Sequence, residues 1–344
     1  MKKITIKDVA QHAGVSIAAV SYVLNGKEHK VSDDTINRIY EAIKELNYIP
    51  SLSARGLAKN TSELIGVIIP QTENRKQQFF ENPFYSEMIG AIESVVRENG
   101  YHVLLSGVEK GQSYLDLSIS RNLDGAIIMG VYPEQLYEEC KQSKIPIVLI
   151  DSYIHDQHFN NVGIDDELGG YMATRYLIEQ GHRHIGLVTG TIRKDGVVEK
   201  RFLGYKRALQ EAGLYYNPEY VFEESVTYQH GLNSGKLIAT EHPELTAIFA
   251  TADMVAFGVI RGVKEAGKEV PEHLSVIGFD DISMSHMFIP PLTTVRQQIS
   301  LKGETAARIL IEQIQGKKPL NAVGEHLLIP LELSIRHTVR RLNG

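Results

Sequence analysis

Between residues 4 and 46 apolar side chains recur at three- and four-residue spacing, which predicts three short helices. In the first, Ile6, Val9, Ala10 and Ala13 share one face, while Lys7, Asp8, Gln11 and His12 take the other. Gly14 ends it, as the residue best able to adopt the positive φ of a tight turn, and Val15 is placed to bury in the angle that follows. Ser16 stands at the N-cap of the second helix. That helix turns Ala19, Val20, Val23 and Leu24 inwards and Ile17, Ala18, Ser21 and Tyr22 outwards. Ser32 is placed to cap a third helix with the stripe Ile36, Ile39, Tyr40, Ile43 and Leu46. The spacing fits a DNA-reading helix-turn-helix or an ordinary helical hairpin. Ile17, Ala18 and Tyr22 together on outward first turns favour the reader.

Residues 47–60, NYIPSLSARGLAKN, change character. Pro50 ends the preceding order and Ser51 is placed to cap a new turn, but Gly56 and the short length leave such a helix marginal in isolation. Arg55 and Lys59 suit phosphates, and Ala54 suits close backbone contact with a second copy. Leu57 is either a minor-groove wedge or a residue packing on the next domain. From Leu64 onward β-branched runs alternate with amphipathic stretches. The runs are 64–70, 101–107, 125–131, 145–151, 184–190, 246–251 and 275–281, and the stretches are 84–98, 167–180, 201–212 and 253–266. Strands apolar on both faces and separated by helices imply parallel sheets covered on both sides. Seven are too many for one modest sheet, and the polar passage 152–163 divides them into two halves. The expected fold is α+β multidomain, an all-α headpiece followed by a two-lobed α/β core with parallel sheets.

The net charge of −6 argues against nucleic acid until it is divided. Residues 1–60 hold nine Lys or Arg against six Asp or Glu, a net of +3, which leaves −9 for the rest. Lone Cys140 fits a reducing cytoplasm. The first twenty residues show no secretory pattern, and no apolar run is long enough to span a bilayer.

In open parallel sheets, ligands bind beyond the carboxyl ends of the strands. The positions there are Phe84, Tyr85, Ser106, Asp151, Thr189 to Thr191, Asp253, Asp280 and Asp281. Rings, carboxylates and hydroxyls suit a polyhydroxylated ligand. An Asp after a strand is often only a helix cap, and Asp253 and Asp281 fit that role as well. No hydrolase, P-loop or dinucleotide fingerprint is present. His155 with His158 and His182 with His184 read as surface or loop histidines. We therefore expect no metal, no cofactor and no enzymatic activity.

KDVA at 7–10, AGVS at 13–16, VS at 20–21 and VLN at 23–25 resemble the headpiece of the lactose/galactose repressor family of bacterial transcription regulators. Residues 62–338 resemble that family's periplasmic-binding-protein-like core through NPFY at 82–85, GHRHIG at 181–186, RFLGY at 201–205, VIGFDD at 276–281 and PPLTTVRQ at 290–297. The resemblance implies a headpiece at 1–46, a hinge at 47–61 that forms a helix on DNA, and a core at 62–338. Within the core it implies one lobe at about 62–160 plus 292–322 and another at about 161–291 plus 323–338. DNA contacts would come from Thr5, Ser16, Ile17, Ala18, Ser21, Tyr22, Asn25, Ala54, Arg55, Leu57 and Lys59, with Leu57 in the minor groove. Effector contacts would come from Asp151, Arg201, Asp280 and Asp253, with Phe84 and Tyr85 at the cleft wall.

Three positions depart from the family pattern. Ala252-Asp253 replaces Asn-Asp, Val226 replaces an aromatic residue with Tyr228 nearby, and the loop 71–81 with Phe79 and Phe80 is lengthened. The implied function is a cytoplasmic, homodimeric repressor of a carbohydrate operon, binding a near-palindromic double-stranded operator under a sugar-type effector. The alternatives are a purine- or nucleoside-responsive corepressor system, a global catabolite regulator partnered by a phosphocarrier protein, and a sugar receptor without DNA activity.

Overall fold

A computed structural model describes residues 4–49, 61–71, 79–109, 113, 120–130, 136–153, 158–318 and 323–342. Pro50, Ser51 and the hinge candidates Ala54, Arg55, Leu57 and Lys59 lie outside these residues, as does most of the lengthened loop. At the end of that loop Phe79–Glu81 forms one 3-10 turn.

The headpiece is three helices, α1 (Ile6–Ala13), α2 (Ile17–Leu24) and α3 (Asp33–Glu45). Gly14 closes α1 at φ +64, where its amide and that of Val15 reach back to the last turn. Val9, Ala10, Ala13, Val20, Val23, Ile39, Ala42 and Tyr48 form the core. Two details differ from the periodicity. Tyr40 is half exposed and its hydroxyl donates to Glu28 Oε1 at 2.7 Å, so Ala42 fills the core in its place. Ser32 holds the N-cap position of α3, but its hydroxyl donates to Thr35 Oγ1 rather than capping an amide.

The remainder carries two six-stranded sheets. The strands are β1 (Leu64–Gln71), β2 (His102–Glu109), β3 (Gly125–Met129), β4 (Ile147–Ile150), β5 (Asn160–Gly163), β6 (Ile185–Gly190), β7 (Val221–Glu224), β8 (Ala247–Ala250), β9 (Ser275–Asp280), β10 (Thr293–Arg296), β11 (His326–Leu328) and β12 (Glu332–Ser334). The first sheet runs β11-β5-β4-β3-β1-β2 and the second β12-β10-β9-β8-β6-β7. The pairings given for both are parallel except β10 with β12. The chain therefore crosses between lobes three times, after β5, after β10 and after β11.

Three lobe boundaries shift from the expectation. β5 belongs to the first sheet, so that lobe runs to 163 and not 160. β10 lies in the second sheet, so the return follows 296 instead of 292. β11 lies in the first sheet, so the second lobe resumes beyond 328 and not at 323. The reason is physical: these strands are short and partly polar, and backbone pairing with β4, β9 and β5 sets their place, not an apolar run of their own.

The covering helices are α4 (Pro83–Glu98), α5 (Leu136–Lys141), α6 (Asp166–Glu179), α7 (Val197–Glu211), α8 (Tyr228–Glu241), α9 (Asp253–Glu265), α10 (Met284–Met287) and α11 (Ile299–Ile314). In the first lobe α4 packs on α11, and in the second α6 packs on α7 and α8 on α9. Both second-lobe pairs meet backbone to backbone through glycine. A Cβ on Gly204 would stand 2.0 Å from the Glu167 carbonyl oxygen, and one on Gly170 would stand 2.1 Å from that of Arg201. This approach sets Arg201 of α7 against the first turn of α6. Gly204→Ala would gain roughly 1 kcal/mol of helix propensity, but the contact is with backbone, which gives little. Overpacking of about 1–3 kcal/mol should win. Urea unfolding is expected to show net destabilisation; a stabilised variant would mean that the helices separate without strain.

Candidate functional site

Two regions carry candidate chemistry, one in the headpiece and one in the core. On α2, Ser16 accepts the Ala19 amide at 3.1 Å, the N-cap expected of it. Ile17 and Tyr22 are 45% and 37% exposed, and Ala18 is exposed between them. Lys30 Nζ stands 5.2 Å from the Tyr22 ring centroid, a cation–π contact that steadies the ring. Ser21 and Asn25 turn towards each other, Asn25 Nδ2 donating to the Ser21 carbonyl at 2.7 Å and to its hydroxyl at 3.2 Å. Thr5 donates through its amide (2.8 Å) and its hydroxyl (2.6 Å) to the Asp8 carboxylate, which fixes the start of α1.

The second region lies at the lobe crossings. Asp151 follows β4 at φ 52 and Asp280 ends β9 at φ 118, both in left-handed backbone that non-glycine residues seldom adopt. Lys302 on the first turn of α11 donates to both Asp151 oxygens, at 2.7 and 2.8 Å, and to Gln297 Oε1. Gln297 Nε2 donates to Asp280 Oδ1. Arg201 Nε donates to Asp166 Oδ1 at 2.7 Å, and Arg201 Nη1 donates to the Thr251 carbonyl at 2.6 Å and lies 3.6 Å from Asp280 Oδ1. Its guanidinium covers the Phe279 ring at 3.6 Å from the centroid. Tyr153 donates to the other Asp166 oxygen at 2.6 Å. Three carboxylates and two cations thus form one continuous polar cluster drawn from both lobes.

Burial pushes the Asp280 carboxyl up to about 6, against the opposing pull of Arg201. Burial also raises Asp166, again opposed by Arg201. For Arg201 burial works against the charge, but Asp166 and Asp280 more than offset it and hold it above its usual value. A carboxylate and a guanidinium side by side, both desolvated, present an acceptor next to a donor in a medium where each is worth more than in water.

Phe84 and Tyr85 begin α4 as an edge-to-face pair with centroids 5.4 Å apart, and Lys302 Nζ is 5.5 Å from the Phe84 ring. Asn82 caps that helix through the Phe84 amide. Glu87 Oε1 accepts the Ser283 amide at 2.7 Å, so α4 also touches the second lobe directly.

Asp253 is placed otherwise than expected. It is fully buried and accepts from the Ile282 amide, the Ser285 hydroxyl and the Thr294 hydroxyl, so its carboxylate ties the β9–α10 loop to β10 and is turned into the protein. Nor is it the cap of α9, which Ala252 occupies. Asp281 is held by Ser334 and Arg336. His182, expected in a surface or loop position, lies in the loop between α6 and β6 but is fully buried there between Thr246 Oγ1 and the Arg340 carbonyl, and burial lowers its pKa to about 4. His184 is exposed. Among the described residues no group of His, Cys, Asp and Glu has the arrangement of a metal site.

Sequence reading missed Asp166, Tyr153, Gln297 and Lys302. For Lys302 a signal existed: it falls on the buried stripe of α11 with Ile299, Gly303, Ala306, Ala307 and Leu310, where a lysine is out of place unless paired.

Comparison with known proteins agrees with this arrangement. Residues 5–51 match the family described as "Bacterial regulatory proteins, lacI family", and residues 174–339 match a periplasmic binding protein-like domain. The chain is 37% identical to the HTH-type transcriptional repressor PurR of Aliivibrio salmonicida (strain LFI1238), over 91% of this chain and 93% of that one. Among solved structures it is similar to the lac repressor dimer bound to operator and the anti-inducer ONPF (TM-score 0.80, 29% identity, 98% of this chain and 100% of that one). It is also similar to the transcriptional regulator CelR in complex with cellobiose (TM-score 0.69, 27% identity, 97% and 99%). These relatives are regulators and not enzymes. With its helix-turn-helix headpiece and two-lobed core, the chain belongs to the lacI family of bacterial regulatory proteins and is a DNA-binding transcriptional repressor.

Proposed function

We propose that the repressor acts in the cytoplasm as a homodimer on a near-palindromic operator, and that a purine-type base in the interlobe cleft strengthens its grip. The observation that carries the effector reading is the Asp280 carboxylate beside the Arg201 guanidinium, 3.6 Å apart at a lobe crossing. An adjacent acceptor and donor match a ring edge that presents N–H next to C=O, while the Phe84–Tyr85 pair supplies ring surface. The name PurR of a relative at 37% identity favours this reading over the sugar-type effector suggested by composition of the site, since the cellobiose-bound neighbour is more distant at 27%.

In this reading Ile17, Ala18 and Tyr22 meet base edges, where apolar side chains favour thymine methyls over bidentate guanine contacts. Two copies place α2 in successive major grooves, and hinge residues Ala54, Arg55, Leu57 and Lys59 pair in the minor groove between them. Met287 at the end of α10 and Ile289 just after it, 65% and 88% exposed, offer apolar surface for the partner copy. A ligand that prefers closed lobes biases the hinge helices, and a coupling of roughly 1–3 kcal/mol changes operator affinity several-fold to about a hundredfold.

A gel shift on selected operator DNA, with and without hypoxanthine, guanine, ribose or cellobiose, tests the effector. Tightening by the bases is expected; a response to the sugars alone would overturn the reading. Asp280→Asn, of equal volume but without the charge, should reduce the response about tenfold or more while operator binding in the absence of ligand persists. A normal dose–response for that variant removes Asp280 from the site. Leu57→Gly should weaken operator binding by at least about tenfold and leave calorimetric effector binding intact; unchanged operator affinity would refute the wedge.

A further inference from the structure

Lys302 is fully buried, and its surroundings account for every N–H it has. Two go to the Asp151 carboxylate and one to Gln297 Oε1, so the ammonium offers nothing to a ligand directly. Its effect is on what Asp151 offers. With an ammonium on both oxygens, Asp151 is fully engaged, whereas the contacts of Asp280 with Gln297 and Arg201 both fall on Oδ1.

We propose that Lys302 is a specificity-determining residue, which sets the class of effector by withdrawing Asp151 from ligand recognition and leaving Asp280 as the one carboxylate that answers the ligand. The proposal rests on the purine reading and gives it a cause. A polyol is gripped by several acceptors at once, because each hydroxyl donates as well as accepts. A cleft with free carboxylates on both lobes suits that chemistry. Here the first-lobe carboxylate is neutralised in place, and what remains is an acceptor at Asp280, a donor at Arg201 and the ring of Phe84. That set matches a planar nitrogen heterocycle and serves a chain of hydroxyls poorly.

The same contact reaches Asp280 through Gln297, whose two amide atoms join Lys302 to Asp280. The charged groups facing Asp280 are Arg201 from α7, Asp166 from α6, Asp253 from α9 and Lys302 from α11. Lys302 is one of two cations among them, and it opposes the upward shift that burial imposes on Asp280. Removing it should raise the Asp280 midpoint further, which a purely space-filling role would not do.

The test uses the full chain as wild type, Lys302→Leu, and Lys302→Leu combined with Asp151→Asn. Replacement of both partners by uncharged groups is tolerated far better than loss of one, so the double variant keeps a folded comparison. Calorimetric titrations with hypoxanthine and with ribose are expected to show a wild-type preference for hypoxanthine. In Lys302→Leu the ratio of the two affinities should move about tenfold or more towards ribose. In the double variant, where Asp151 is again no free anion, the ratio should return to near the wild-type value. An unchanged ratio in Lys302→Leu, or a double variant as altered as the single, overturns the proposal.

Carboxyl-carbon NMR titration of the ligand-free proteins gives a second readout, in which the Asp280 midpoint should rise in Lys302→Leu; an unmoved midpoint also overturns it. Because that titration needs no ligand, its failure is distinct from failure of the purine reading, which falls if wild type binds ribose and not hypoxanthine.

Discussion

Burial of the four charged side chains Asp166, Asp280, Arg201 and Lys302, with Asp151 partly buried beside them, is the constraint on which the core depends. Isolated charges at such depth would cost several kcal/mol each, and they are tolerated because each is held by others. Asp166 takes Arg201 and Tyr153, Asp151 takes Lys302, and Gln297 joins the two halves. The cluster draws on the end of β4, the end of β9, the starts of α6, α7 and α11, and the crossing after β10. Each of those elements must arrive in register for the charges to be satisfied. The glycine contacts between α6 and α7 and the left-handed backbone at Asp151 and Asp280 are thus part of one requirement.

Such a cluster joins the lobes more specifically than an apolar interface would. Its groups lie on both lobes, and Gln297 links Lys302 to Asp280 at the crossing after β10. The headpiece contributes the opposite property. It is built on a small apolar core beneath the exposed Ile17, Ala18 and Tyr22.

Much of this organisation was legible in the residues. Strands apolar on both faces stood out because burial on both sides demands it, and the headpiece showed its turn through Gly14 and Ser16. What stayed hidden shares a physical reason: it depends on partners distant in sequence. β5, β7, β10, β11 and β12 are short and partly polar, and neighbours define them. The helices α8 and α11 went unread, and with α11 went Lys302, since a lysine on a buried stripe has meaning only beside Asp151, far back along the chain. The inward placement of Asp253 stayed hidden for the same reason, because its three donors come from a loop, α10 and a strand beyond it. The loop position of His182 is legible among neighbouring histidines and arginine, but its burial is not, because the carbonyl it meets belongs to Arg340.

The triple crossing of the chain between the lobes has a consequence for synthesis. β11 and β12, which follow every other strand in chain order, are edge strands of different sheets. The first sheet lacks its edge until β11 has been made and the second until β12 has, whereas the headpiece helices all precede the first strand of the core. A nascent chain therefore acquires its DNA-reading unit before either sheet of the core is complete, and a product interrupted within the core would carry the headpiece on an unfinished core.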